Sequence, residues 1–91
     1  MIVKWRPTAE TDLDVIFEFL EANNPRLAYR FAESLSKAAL SLATFPHRGR
    51  PGRKPGTREL IAVRPYVIVY KVGEPQGTVL ILRIFHDRQN R

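Results

Sequence analysis

The sequence predicts a two-layer α+β domain: an N-terminal strand, an α-helical hairpin, then an antiparallel β-meander. Three observations predict it. Apolar residues recur at a 3.6-residue period from Leu27 to Leu42. Asn23-Asn24-Pro25 separates that stretch from a shorter helical stripe before it. Beyond Arg58 the chain is rich in β-formers and is cut into short runs by turn residues. Its 91 residues fit a single domain over 1–91, and no repeat, linker or low-complexity tract divides it.

Ile2 to Arg6 alternates weakly, favours β structure and ends at Pro7, so it reads as a short strand. Thr8 is the expected N-cap of the first helix, with Glu10, Asp12 and Asp14 near the positive end of its dipole. Leu13, Ile16, Phe17 and Leu20 form the apolar stripe of that helix. Phe19 lies off the stripe and is a candidate for partner contact. Asn24 as N-cap and Pro25 at the first helical position start the second helix. Its stripe runs through Leu27, Ala28, Phe31, Ala32, Leu35, Ala38, Ala39 and Leu42, and the alanines permit close packing. Phe45-Pro46 ends the hairpin. His47 to Gly56 has loop chemistry, with three glycines, two prolines and four Lys or Arg residues. Strands are expected over 58–63, 66–72 and 78–85, with Gly73 to Gly77 as a hairpin turn and a polar tail from His86.

Charge is unevenly divided. The chain carries 15 Lys and Arg against 9 Asp and Glu, a net +6. Residues 1–45 hold five cations and six anions, whereas residues 46–91 hold ten cations and three anions. Such a cationic half attracts an anionic partner, nucleic acid or acidic protein; the alternative is a solvated surface that maintains solubility. The glycine-rich stretch matches neither a phosphate-binding loop nor a dinucleotide fingerprint. A plain connecting loop and a binding loop both remain open for it. Zero cysteines exclude disulfides, thiolate metal sites and a cysteine nucleophile, and fit a reducing compartment. No apolar run approaches the ~18 residues of a membrane span. Lys4 and Arg6 interrupt the N-terminal apolar stretch, unlike a secretory signal. The expectation is a cytoplasmic protein with no membrane partner.

Residue parity sorts strand side chains between the two faces of the sheet. It groups Leu80, Leu82 and Ile84 against Val79, Ile81, Arg83 and Phe85, and Tyr66, Ile68, Tyr70 and Val72 against Val67, Val69 and Lys71. Both faces are largely apolar, yet two helices cover only one. The uncovered face is therefore expected to expose an apolar area for a partner or a second copy, unless loops and tail fold over it.

Little in the chain suggests catalysis. Asp14, Glu18 and Glu21 share a helix face that reads as solvated surface. Two histidines 39 residues apart and no cysteine make a metal site improbable, and no cofactor motif is present. The serines have no triad partners. RNA cleavage through a 2′-hydroxyl needs an acid, a base and cations at the phosphate, which Arg58, Arg83 and His86 could supply. Parity sets Arg83 and His86 on opposite faces unless a bulge or bend intervenes. Pairing with Asp87 is an equal alternative for His86.

Several segments, in order, resemble the RelE/ParE superfamily of bacterial type II toxins: Trp5 to Leu13, Phe45-Pro46-His47-Arg48-Gly49-Arg50-Pro51-Gly52, Gly56-Thr57-Arg58-Glu59-Leu60, Pro65 to Tyr70, and Ile84-Phe85-His86-Asp87. The resemblance implies an antiparallel sheet backed by a helical hairpin, inhibition of a host process, and neutralisation by a cognate acidic antitoxin in a hetero-oligomer. ParE-like members poison DNA gyrase; RelE-like members cut mRNA on the ribosome. Arg58 and His86 match family positions. The middle strand reads Tyr66-Val67-Ile68-Val69-Tyr70, with valine where the nuclease branch carries arginine. Asp87 follows His86, where that branch carries an aromatic or other acid–base group. The expectation is thus a ParE-like inhibitor that binds gyrase, with a ribosome-dependent endoribonuclease using Arg58, Arg83 and His86 as the alternative. A non-toxic basic module stacking bases on Tyr66 and Tyr70 is a third reading. Candidate contacts to antitoxin or target are Arg50, Arg53, Lys54, Arg58, Tyr66, Arg83 and Arg88.

Overall fold

The computed structural model describes residues 1–88. In chain order it contains β1 (Ile2–Trp5), α1 (Pro7–Asn23), α2 (Pro25–Ser41), β2 (Arg50–Pro51), β3 (Arg58–Val63), β4 (Tyr66–Gly73) and β5 (Thr78–His86). The helices lie on one face of a five-stranded sheet of order β1-β5-β4-β3-β2. Strands β2 to β5 pair antiparallel. β1 instead pairs parallel to β5, Ile2 opposite Thr78 and Trp5 opposite Ile81, so the sheet is mixed rather than wholly antiparallel. The cause is connectivity. The helical hairpin carries the chain to the far edge, and the meander returns with its last strand beside the first and in the same direction.

The α1–α2 junction follows its local chemistry. Asn24 Oδ1 accepts from the Leu27 amide at 3.2 Å, while the Asn24 amide closes α1 on Leu20 O at 2.8 Å. The start of α1 differs from expectation. Helical geometry begins at Pro7, with Arg6 as a cap that makes no side-chain bond. The Thr8 hydroxyl donates instead to Leu82 O, 3.0 Å away in β5. A tertiary acceptor has won over the local one.

Ala9, Phe31, Leu35, Ala39 and Leu42 from the helices meet Leu60, Ile68, Tyr70, Val79, Ile81 and Ile84 from the sheet, and this is the core. Simple parity fails in β5. Val69 pairs with Arg83 but Tyr70 pairs with Ile81, so Leu82 is an extra residue in a bulge. Val79 and Ile81 before the bulge, and Ile84 after it, therefore all enter the core; parity alone would have set Ile84 against the other two. The bulge precedes both Arg83 and His86, so it leaves those two on opposite faces.

Beyond Ile81, β5 has no strand on its β1 side, because β1 ends at Trp5 and the Arg6 amide makes the last rung to Ile81 O. The first turns of α1 satisfy this edge. Thr8 takes Leu82 O, and the Asp12 carboxylate accepts from the Ile84 amide at 2.9 Å and from Arg83 Nε and Nη2 at 2.7 and 3.0 Å. An edge that could template another strand is closed from within.

The sheet face away from the helices does not carry the expected exposed apolar area. Val67 is fully buried there, in register between Ile61 and Phe85. Ile61, Val69, Leu80, Leu82 and Phe85 are half-buried. The large exposed apolar side chains are instead Val15, Phe19, Leu27, Tyr29, Leu40 and Phe45 on the helices and just beyond, with Met1 and Ile2. Residues 89–91 of the expected tail lie outside the described residues. Side chains in register shield one another across three strands, which a count of face polarity does not capture.

Replacing Asp12 by alanine leaves the Ile84 amide without a partner and is expected to cost about 1–3 kcal/mol in urea melts. Arg83→Ala removes only a solvent-exposed ion-pair partner and should cost less than ~1 kcal/mol. Equal costs for the two variants would make the ion pair, not the bond to the Ile84 amide, the stabilising element.

Candidate functional site

Two surfaces carry unusual chemistry: the cationic loop over residues 46–58 and a groove between the helices. The loop contains Arg48, Arg50, Arg53, Lys54 and Arg58 and no acid. Such a stretch repels itself, and its regular pairing is limited to the two residues of β2 against β3, so it needs further bracing from outside. The sheet supplies three braces. Tyr70 is fully buried in the core, yet its hydroxyl donates to Pro46 O at 2.8 Å and accepts from the Gly49 amide at 2.8 Å. Glu59, only 5% exposed, accepts from Arg50 Nη2 at 3.1 Å and from the Arg53 amide at 3.4 Å. The Arg58 guanidinium donates to Gly49 O at 2.7 Å and His47 O at 3.4 Å. The tip closes on itself through Gly52 N to Thr57 O and the Thr57 hydroxyl to Lys54 O. Gly49 is obligatory here, since a Cβ would sit 2.8 Å from the Tyr70 hydroxyl and 2.9 Å from Glu59 O.

Beside the loop is a cavity of about 310 Å³ lined by His47, Thr57, Arg58, Val72 and Glu74, among others. His47 Nε2 lies 2.9 Å from Glu74 Oε1, which links the loop to the β4–β5 turn.

The groove, about 440 Å³, lies between α1 and α2 over β1. Val3, Trp5, Leu13, Ala39 and Leu40 make it apolar, while Glu10 and Asp14 give it an acidic rim. Leu40, 67% exposed, stands at its edge.

The predicted site residues divide into three places. Arg50, Arg53, Lys54 and Arg58 come together on the loop. Tyr66 packs at 4.9 Å between ring centroids on Phe31 of α2 and at 5.5 Å, edge to face, on His86. Arg88 follows β5, exposed, and its amide donates to His86 Nδ1 at 3.1 Å. Arg83 is held by Asp12, whose hydrogen bond, and secondly whose charge, raise the guanidinium pKa above its ordinary value. Arg58, Arg83 and His86 do not converge. Arg58 stands opposite Tyr70 and His86 opposite Tyr66, four residues or ~13 Å along β4 at the usual strand rise. Among the described residues no group of three His, Cys, Asp or Glu could hold a metal ion, and no helix is long and apolar enough to cross a membrane.

Sequence reasoning missed Glu59, Tyr70 as a polar brace, the His47–Glu74 contact and the groove. A signal existed for Glu59, an isolated acid directly after five cations. None existed for Tyr70, whose loop partners lie 21 and 24 residues away.

This architecture is shared with solved toxin–antitoxin proteins. The chain is similar to a chain of the chromosomal ParDE system from P. aeruginosa, at a TM-score of 0.83 and 28% identity over 94% of this chain and 95% of that one. It is also similar to a chain of the RelBE2 toxin–antitoxin complex from Mycobacterium tuberculosis, at a TM-score of 0.60 and 30% identity over 93% and 95%. Toxin RelE2 of Caulobacter vibrioides is 43% identical over 84 residues, 92% of each chain. The fold is that of a RelE/ParE superfamily toxin. Residues 3–91 match the family described as ParE toxin of type II toxin-antitoxin system, parDE, and the chain belongs to that family.

Tyr70→Phe keeps the buried ring but strands Pro46 O and the Gly49 amide, so a loss of about 1–3 kcal/mol is expected in thermal or urea unfolding. Faster amide hydrogen exchange should be confined to residues 46–58.

Proposed function

We propose that this type II toxin inhibits DNA gyrase by binding, as its ParE-like resemblance implies, and that a cognate antitoxin neutralises it. One observation carries the preference for binding over RNA cleavage. Valine stands in the middle strand where the nuclease branch carries arginine. Val67 there is fully buried and Val69 half-buried, so neither position presents a cation. The separation of Arg58, Arg83 and His86 points the same way, because acid, base and phosphate cation must meet one scissile bond. The nearer structural likeness to the ParDE chain than to the RelBE2 chain agrees with it.

The groove over β1 is the proposed antitoxin seat. Its apolar floor suits the buried face of an amphipathic segment, and Glu10 and Asp14 suit a Lys or Arg at that segment's edge. Such a segment orders on binding, so its affinity depends on a few buried anchors.

Expression in a susceptible bacterium tests the target. The expected result is DNA breakage and an SOS response with intact transcripts, and His86→Ala should retain toxicity. Translation arrest with codon-positioned mRNA cuts, lost in His86→Ala, would replace gyrase with the ribosome as the target. For the antitoxin seat, Leu40→Glu should weaken antitoxin binding at least ~10-fold, or about 1.4 kcal/mol. Because Leu40 is exposed, the melting temperature of the free toxin should hardly move.

A further inference from the structure

We infer that the loop over residues 46–58 is a preorganised contact for the phosphate backbone of duplex DNA. A loop that merely keeps a protein soluble has no need of a fixed shape. This one is held by a buried carboxylate, a buried tyrosine hydroxyl and a guanidinium turned onto two carbonyls. The bracing leaves Arg48, Arg53 and Lys54 exposed along the outside. Arg48 Nη1 has a neutral partner, the Ser41 hydroxyl at 2.9 Å, which orients it without cancelling its charge. Arg50 is engaged in an ion pair with Glu59, yet its side chain remains half exposed.

The loop's chemistry selects the partner. From His47 to Arg58 the only hydrocarbon groups are the small rings of Pro51 and Pro55 and the Thr57 methyl, so a protein partner finds little apolar surface to bury there. Its one aromatic ring is the His47 imidazole, held at its edge by Glu74, so a strand of unpaired bases finds one small ring rather than a row of stacking platforms. Closely spaced cations and fixed shape are what a duplex backbone recognises, through release of its condensed counterions. This inference does not depend on gyrase being the target.

The test is fluorescence anisotropy of the purified full chain with a labelled duplex of mixed sequence, titrated with salt. The double variant Arg53→Ala/Lys54→Ala should weaken binding at least ~10-fold at low salt. It should also reduce the log–log salt slope by about 1.8, because two phosphates keep their counterions. Arg26→Ala/Arg30→Ala removes equal charge from the first turns of α2, about 16 to 22 Å of helix from Ser41, and should change affinity less than ~2-fold. Glu59→Gln raises the net charge by one from +6, so simple attraction would tighten binding, whereas loosening the brace should weaken it. Equal losses in the two double variants, tighter binding by Glu59→Gln with the fold intact by circular dichroism, or stronger binding to single-stranded RNA or polyglutamate than to the duplex would each overturn the inference.

Discussion

The hydroxyl of Tyr70 joins the hydrophobic core to the surface that carries most of the charge. Its ring is wholly buried beneath the helices, and its oxygen fixes Pro46 and Gly49 where the chain leaves the helical layer for the sheet edge. The same segment is held from β3 by Arg58 and, further along, by Glu59. Packing of α2 against the sheet and the shape of the cationic loop are therefore coupled. Disturbing the core near Tyr70 alters the loop, although no loop side chain enters the core.

A second polar cluster plays the equivalent part at the other end of the sheet. Asp12 stands where a sixth stretch of β pairing would otherwise be required. It takes the Ile84 amide and orients Arg83 with the same carboxylate, while Thr8 takes the neighbouring carbonyl. Two bonds to backbone groups take the place of a strand, and with the two from Arg83 they fix where α1 sits on β5. The helical layer is thus tied to the sheet at both ends by side chains whose partners are largely backbone groups. Such bonds specify geometry more than they add net stability, because each replaces one that water would make.

The sequence made legible whatever is local. The Asn24-Pro25 junction, the stripe of α2 and the turn at Gly73 to Gly77 depend on neighbours within about four residues. The clustering of Arg50, Arg53, Lys54 and Arg58 was legible too, since one loop contains them all. What failed had distant causes. Thr8 gave up its capping role to an acceptor 74 residues away. The Leu82 bulge, which moves Ile84 into the core, exists only in the pairing of two strands. The parallel pairing of β1 with β5 follows from the route of the whole chain. The shielding of Val67 needs its two cross-strand neighbours. Apolar exposure accordingly moved from the sheet, where face counting placed it, to the helices and the groove.

The groove and the loop lie toward opposite edges of the sheet, over β1 and at β2, four strand spacings or about 19 Å apart. The last turn of α2 connects them: Leu40 lines the groove, and the next residue, Ser41, accepts from Arg48 at the start of the loop. A partner segment confined to the groove would leave the cations of the loop open to solvent. One that continues past Leu40 meets Phe45, exposed, and then Arg48, and needs about six residues of extended chain to cross the full span. The surface thus changes along a single path from apolar with acidic rims to purely cationic. An antitoxin that masks both regions must wrap rather than plug, with apolar and basic side chains first and acidic ones after them. Its apolar part then governs how long it stays, and its acidic part governs whether the loop remains available to an anionic partner.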